Sequence, residues 1–534
     1  MASWHYADVW DTIAALRGDT PALIHGSRRV SWHDLSSRAD ALAASFVEGG
    51  ARRGDRVAMY LTNCPEYLEG IYATYKAGLT PVNTNFRYRP DEIRYLWEDA
   101  DAIAVVFHGC FTDTAAEVRG ELPAVQRWLW VDDGSGPCPA WAEPYEDVAS
   151  TKIDGPYQAP WGRSGDDIIM IYTGGTTGMP KGVMWRHHDL YLAFNTVADP
   201  SIADLAAVRN RVNNLTDPPR GLPASPLMHA TGFMFAQSML TQGGTVVTLE
   251  NRRFDPADLL DVLEGEQVAA MAMVGDAFGR PLLTALDEAP DRWDLSSLTL
   301  LVSAGVMWSG EVKDGMARHL PSTLLVDLLG STEAHSLGSA VGAGDTARFK
   351  LGPDATVVTE DGRRAGLGEP GLLAVAGPSP VGYHKDPDKT ARTFLDIDGV
   401  RHTVPGDWAR LEPDGTVTLL GRGSLCINTG GEKVFPEEVE EALKTHKAVR
   451  DATVVGVPDQ RMGEAIAAAV ELIGGAEVTS DELIAHTKKT IAAYKAPRQV
   501  LIVDSVGRAP NGKADYAGIR QRILDASTSP AKTQ

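Results

Sequence analysis

Cysteine is scarce in this sequence: four thiols in 534 residues, Cys64, Cys110, Cys138 and Cys426, with no CxxC spacing among them. That scarcity excludes a disulfide framework and a cysteine-rich zinc site, and it fits a reducing compartment. Basic residues are also in deficit. Lys and Arg total 50 against 71 Asp and Glu, a formal net charge of -21. A surface so acidic repels a polyphosphate backbone and argues against nonspecific nucleic-acid binding, while leaving room for a local nucleotide pocket. No apolar run approaches the ~18 residues of a membrane-spanning helix. The opening MASWHYADVWDTIAAL lacks the basic-then-apolar layout of a signal peptide, and SPAKTQ at the end matches no retention or lipidation signal. The expectation is a cytoplasmic protein with no integral membrane segment, its oligomeric state open, homo-oligomer included. No internal repeat is visible, and no low-complexity segment precedes the polar tail after Ile523.

What is present is ordinary globular material, 43% hydrophobic and 23% charged. The length suggests roughly three to four domains or subdomains. Short β-branched runs alternate with helical patterns: RVAMYL (56–61), AIAVVF (102–107), DIIMIYT (167–173), GTVVTLE (244–250) and LTLLVSAG (298–305). Strands spaced by amphipathic stretches predict an α/β fold with mostly parallel sheets. Near residues 421–425 the character changes to β-structure joined by Gly-rich turns. In FPEEVEEALKTH, Pro436 suits the first helical position, and Glu437 and Glu438 suit the positive end of the dipole. Two strand-like runs follow, ATVVGV and AIAAAVEL. In TSDELIAHTKKTIAAY, Thr479 and Glu482 form a capping-box pattern, and Leu483, Ile484, Thr487, Ile491 and Tyr494 share one helical face. The expected domains are 1–422, large and α/β with a small β subdomain, and 423–534, small, α+β and mobile on a hinge.

The most informative segment is IYTGGTTGMPKG, residues 171–182, just past a strand-like run. Glycines there let backbone N–H groups converge on an anion, Thr173, Thr176 and Thr177 add hydroxyls, and Lys181 can reach a phosphate oxygen. It is not a Walker A loop, because Pro180 and Gly182 flank the lysine. YTGGTTGMPKG closely resembles the signature of the adenylate-forming superfamily, which includes acyl-CoA synthetases, adenylation domains and luciferases. The resemblance implies that Thr173, Gly174, Gly175, Thr176, Thr177, Gly178 and Lys181 hold the outer phosphates of ATP while a carboxylate attacks the inner one.

Further stations of that family recur in order along the whole chain. PLMHATG (226–232) resembles a wall of the acyl pocket, with His229 beside the substrate carboxylate. LVSAGV resembles the strand end where Gly305 lets adenine approach. LLGSTEA resembles the segment Leu329, Gly330, Ser331, Thr332, Glu333, in which Thr332 bonds the α-phosphate and Glu333, with Thr173, helps hold Mg²⁺. A hard carboxylate oxygen suits that ion. Leu329 stands where the family usually has an aromatic ring, which removes π-stacking on adenine, and His335 has no evident family role. Asp407 and Arg422, fifteen apart, resemble the ribose contacts. Beyond Arg422 the pattern departs again: Leu425 replaces an acidic hinge residue and Asn428 a frequent Lys. Gly430 and Gly431 suit close passage of the pantetheine of coenzyme A. Lys513, on the Pro-Asn-Gly turn of RAPNGKADY, resembles the lysine that bridges carboxylate and α-phosphate.

The resemblance therefore implies two half-reactions: ATP and a carboxylic acid give acyl-AMP and pyrophosphate, and the small domain then rotates to admit CoA. The strings PLMHATG, AAMAMVGDAFGRPLL and SAGVMW are apolar and Met-rich, which fits a fatty, branched, alicyclic or steroid-side-chain acid better than an amino acid. The strings VGDAFGRPLL and GRGSLCINTGGEKVFPEEVE look closest to actinobacterial fatty-acid and steroid-side-chain CoA ligases. Asp276 reads as a cap of the helix that follows it, with a polar pocket residue as the other reading. Two other readings stand beside this one: acyl transfer to a carrier protein or to oxygen, and a noncatalytic acyl- or nucleotide-binding protein.

Overall fold

The computed structural model describes residues 3–173, 179–196, 202–305, 308, 310–334, 337–340, 348–359, 361–422, 427–434, 436–506 and 516–528. Residues 174–178, His335, Leu425 and Lys513 lie outside the described residues.

Two sheets form the large lobe. In the first, six strands run parallel in the spatial order Pro21–His25, Thr245–Thr248, Arg220–Pro223, Ala270–Met273, Leu300–Ala304 and Leu324–Leu329. From Gly338–Ala340 onward the same sheet turns antiparallel, through Arg348–Leu351, Thr416–Arg422, Asp407–Leu411 and Pro370–Ala376, and this is the small β subdomain. In the second sheet, Arg127–Val131, Ala102–His108, Arg56–Tyr60, Thr80–Asn83 and Ile168–Thr173 are parallel. Lys181–Arg186 and Gly382–Tyr383 close it antiparallel. Strands covered on both faces read as continuous apolar runs, which is why AIAVVF and DIIMIYT stood out.

The sequence pattern did not single out the helix Pro65–Ala77, every residue of which is buried. It packs against strands of both sheets, between them. Such a helix needs an apolar surface all round, yet PEYLEGIYATYKA carries three charges. Each is paired. Glu66 and Glu69 meet Arg28, Glu69 also meets Arg38, and Lys76 Nζ lies 2.6 Å from Asp40 and 2.9 Å from Asp11.

The small lobe has its own sheet of Ile427–Thr429, Glu432–Val434, Val449–Asp459, Gly463–Leu472 and Gln499–Val503. Helices Pro436–Lys444 and Ser480–Thr490 cover one face, and Tyr516–Thr528 covers the other. The capping box forms as the sequence predicts, with Thr479 and Glu482 each bonding the other's backbone N–H. The expected helical face is shorter, however. The helix stops at Thr490, because Ile491 is extended (φ -130, ψ 172), and Tyr494 turns toward the large lobe in a separate 3₁₀ turn. Asp276 is also not an N-cap, since its helix begins at Gly275.

Removing one partner from a buried ion pair leaves the other charge uncompensated, at a cost of about 3–5 kcal/mol. Lys76→Ala should lower the stability of the large lobe by that order, measured as the loss in its urea unfolding transition. A change below ~1 kcal/mol would mean that Asp11 and Asp40 are rehydrated without it.

Candidate active site

In open parallel sheets, ligands bind beyond the carboxyl ends of the strands. Here those ends from both sheets face one cavity of about 630 Å³. Thr173 arrives from the second sheet, and Gly305, Leu329, Gly330, Ser331 and Thr332 arrive from the first. Gly305 adopts φ +90, a left-handed conformation that disfavours a side chain although nothing crowds the position. Asn83 ties the two sheets together. Its Nδ2 donates to the Tyr172 and Met228 carbonyls at 3.0 and 2.6 Å, and its Oδ1 accepts from the Tyr172 N–H.

The loop that carries the phosphate signature joins two paired strands, with Thr173 directly opposite Lys181. Lys181 Nζ stands 3.5 Å from Asp386. Burial raises the Asp386 pKa, but the Lys389 N–H and the charge of Lys181 outweigh it and hold the carboxyl below its ordinary range. Thr332 and Glu333 are both buried, and the Glu333 carboxylate accepts a hydrogen bond from the Tyr383 hydroxyl at 2.7 Å. Asp407 and Arg422 stand opposite each other in one antiparallel ladder, which accounts for their spacing. Among the described residues, the cavity walls include neither Lys181, Glu333, Asp407 nor Gly430.

The small lobe completes the cavity. Gly431, at the turn between Ile427–Thr429 and Glu432–Val434, has φ +85, and a Cβ there would lie 2.9 Å from Val274 of the large lobe. Glycine permits that approach. Next to it the buried Glu432 carboxylate meets three groups of the large lobe: His229 Nε2 at 3.1 Å, Arg87 Nη1 at 3.2 Å and Asn85 Nδ2 at 3.5 Å. Burial raises the Glu432 pKa, but His229 first and then Arg87 and Lys495 reverse this and leave it below its ordinary 4.5. A second junction sits alongside. Buried Lys495 lies 2.7 Å from Glu92 of the large lobe and 2.6 Å from Glu438 of its own. Arg89 donates to the carbonyls of Lys488 and Ile491.

The rest of the cavity is an apolar tunnel. Ala230, Thr231, Met234, Phe235, Ser238, Met239 and Gln242 form one stripe along helix Ala230–Thr241, facing Ala270, Ala272, Leu300, Val302 and Ala304 on the sheet. A helix of 12 residues spans about 18 Å. Strand alternation sends Met271 and Met273 to the opposite face, into the core with Leu301, so these methionines do not line the pocket as their string suggested. Three of the five sheet residues facing the helix are alanine, with Leu300 and Val302 beside them.

Among the described residues no group of three or more His, Cys, Asp or Glu could cage a metal. A single buried carboxylate such as Glu333 fits Mg²⁺, which keeps waters and is shared between one or two carboxylates and substrate phosphates. Sequence reasoning missed Tyr383, Asp386, Glu432 and Lys495. Tyr383 and Asp386 sit in GPSPVGYHKDP, which reads as coil, and Glu432 lay inside a quoted motif with nothing to distinguish it from its neighbours.

A cavity at the strand ends of two sheets, extended by an apolar tunnel and closed by a second lobe, is the architecture of the adenylate-forming enzymes. The profile of the AMP-binding enzyme family matches residues 10–382, and that of the AMP-binding enzyme C-terminal domain matches residues 438–513. This chain belongs to the AMP-binding enzyme family. It is 38% identical over 513 residues to a medium/long-chain-fatty-acid–CoA/3-oxocholest-4-en-26-oate–CoA ligase of Mycolicibacterium smegmatis, covering 93% of this chain and 92% of that one. It is 36% identical to a 3-oxocholest-4-en-26-oate–CoA ligase of Rhodococcus rhodochrous, covering 96% and 94%. Among solved structures, an amide bond synthetase of Marinactinospora thermotolerans superposes with a TM-score of 0.80 at 26% identity, covering 97% and 99%.

Because the folded Glu432 pKa is depressed, its contribution to lobe docking is complete above about 4.5 and is lost as pH falls through the lowered value. At neutral pH, Glu432→Gln should reduce the docked population, read as a drop in energy transfer between fluorophores on the two lobes. In the unsubstituted protein the same drop should appear only below pH ~4.5. Equal transfer in both proteins at pH 7 would count against this assignment.

Proposed function

We propose that this chain is an AMP-forming acyl-CoA synthetase for hydrophobic acids of fatty or steroid-side-chain type. The observation that carries the reading is one continuous cavity. It joins an apolar tunnel, the strand ends that carry Thr173 and Thr332, and the Gly431–Glu432 turn of a second lobe. The domain boundary is taken at 422/423, and the setting is taken as cytoplasmic. Among the described residues no helix is long and apolar enough to cross a membrane.

In the first half-reaction, Gly174, Gly175, Thr176, Thr177, Gly178 and Lys181 hold the β- and γ-phosphates. Thr332 bonds the α-phosphate, Asp407 and Arg422 take the ribose, and Lys513 orients the carboxylate for in-line attack. Asp386 keeps Lys181 at the edge of the phosphate site until a phosphate replaces it. Glu333 and the Thr173 hydroxyl would hold Mg²⁺, which would supply positive charge against the leaving pyrophosphate. In the second half-reaction the small lobe sits as the structure has it. Gly430 and Gly431 border the entry of the CoA arm, and Glu432 holds the His229 ring through Nε2.

Lys513→Ala should lower ATP–pyrophosphate exchange by ~10²–10³-fold, as expected for loss of a group that meets developing charge. Thioester formation from supplied acyl-adenylate should remain within about threefold. Equal loss in both assays would overturn the division of labour between the two lobe positions.

The tunnel sets the acid. About 18 Å accommodates a long alkyl chain or an extended ring system, and the alanine-rich wall gives width that a single polymethylene chain does not need. The fatty-acid and 3-oxocholest-4-en-26-oate ligases similar to this chain support both. Ala272→Phe should cut kcat/KM for long and polycyclic acids by at least ~10-fold and leave short acids unchanged. AMP release across fatty, branched, aromatic and steroid acids tests the whole reading, with CoA, a carrier protein and simple amines compared as acceptors. No acid-dependent exchange across that panel would return the chain to the noncatalytic reading, and turnover with amines in place of CoA would favour amide formation.

A further inference from the structure

The loop that carries Thr332 and Glu333 leaves the last parallel strand of the first sheet, yet its shape is held from the second. The indole N–H of Trp185 donates to the Thr332 carbonyl at 2.9 Å, and the Tyr383 hydroxyl donates to Glu333 Oε1 at 2.7 Å. Both rings are buried, Trp185 at 1% and Tyr383 at 5% exposure, so neither bond competes with bulk water. The strands that bear them are neighbours. Gly382–Tyr383 pairs with Lys181–Arg186, with Tyr383 opposite Val183, and the second of these strands begins at Lys181. One strand pair thus anchors both the base of the phosphate loop and the acidic loop facing it. Tyr383 is itself fixed. Its N–H donates to Thr390 Oγ1 at 2.9 Å, Lys389 Nζ lies 4.1 Å from its ring centre, and Phe394 packs 6.1 Å away.

We propose that Tyr383 is a positioning residue for the nucleotide-bound Mg²⁺, acting through Glu333. The proposal rests on the reading of Glu333 as a metal ligand. A carboxylate on a two-carbon stem rotates freely unless something holds it. A phenol hydrogen bond to one oxygen fixes the plane of the group and so the direction in which the other oxygen points. Partners of this kind are typically worth ~10–100-fold in metal affinity. The hydroxyl contributes no charge and touches neither acid nor nucleotide in this role.

The test is Tyr383→Phe, which removes one oxygen and keeps the ring packed against Lys389 and Phe394, alongside Glu333→Gln and the double variant. Mn²⁺ binding to each protein with a non-hydrolysable ATP analogue is followed by electron paramagnetic resonance, with thermal melting in parallel. Tyr383→Phe should weaken Mn²⁺ by ~10-fold and raise the Mg²⁺ needed for pyrophosphate exchange to match. Thioester formation from supplied acyl-adenylate should stay within about twofold of normal. The double variant should bind no more weakly than Glu333→Gln alone, because the two side chains act as one unit. Normal Mn²⁺ affinity in Tyr383→Phe with a loss in Glu333→Gln would overturn the role of Tyr383 and leave that of Glu333 standing. Normal affinity in both would overturn the Glu333 reading and the proposal together. A Tyr383→Phe protein that melts early and loses both half-reactions in parallel would make the tyrosine merely structural, which also overturns it.

Discussion

A carboxylate taken out of water must be compensated, and the arrangement of the two lobes follows from how Glu432 is. Its own lobe contributes the charge of Lys495, but the groups that bond it directly belong to the large lobe. They are His229 and Arg87, at the start of the helix that lines the tunnel and after the strand Thr80–Asn83, with Asn85 adding a donor. Glu432 therefore stays ionised and buried only while its turn rests on the tunnel mouth, and that placement puts Gly431 against the strand ends. The same logic governs Lys495, whose charge is shared between Glu92 on one lobe and Glu438 on the other. Two buried charges of opposite sign thus define one docking geometry.

Within the large lobe a different constraint operates. Two sheets with their carboxyl ends facing one cavity need something to hold the ends at a fixed separation. Asn83 does this on one side, bonding to a strand of its own sheet and to the segment before His229. Trp185 and Tyr383 do it on the other, reaching across to the Thr332–Glu333 loop. The helix Pro65–Ala77 fills the space between, and its charges are acceptable because Arg28, Arg38, Asp11 and Asp40 close around them.

The parts of the site legible in the sequence are those where a local backbone demand meets a chemical one. Glycines past a strand end, a Thr-Glu pair past another and an Asp fifteen residues before an Arg announce themselves in short strings. The structure places Thr173, Gly305, Thr332 and Gly431 on one cavity accordingly. The contacts between lobes were not legible, because their partners lie 203, 345 and 403 residues apart in the chain. The internal helix escaped notice because burial on every side erases amphipathic periodicity. Met271 and Met273 were misassigned to the pocket because a four-residue strand, AMAM, gives no clue to which face is inward. Tyr494 read as helical because its spacing continues the pattern of Leu483 and Thr487, but the helix ends before it and the residue serves the other lobe.

The chemistry of the junction bears on how the small lobe moves. Among the described residues the hydrophobic clusters are separate: two belong to the small lobe and none is shared with the large one. What joins the lobes is polar. Breaking an apolar interface exposes surface to water without recompense, at about 25 cal/mol per Å². Breaking Lys495–Glu92 or Glu432–His229 by rotation costs less than their short distances imply, because opening the junction returns each charge to solvent and recovers the desolvation penalty it paid on docking. A junction of buried ion pairs is therefore specific when closed and inexpensive to open. The alternation of lobe positions proposed above needs that combination. Glu432–His229, Glu432–Arg87 and Lys495–Glu92 span the lobes, while Lys495–Glu438 lies within the small lobe and leaves that lysine a partner when the junction opens.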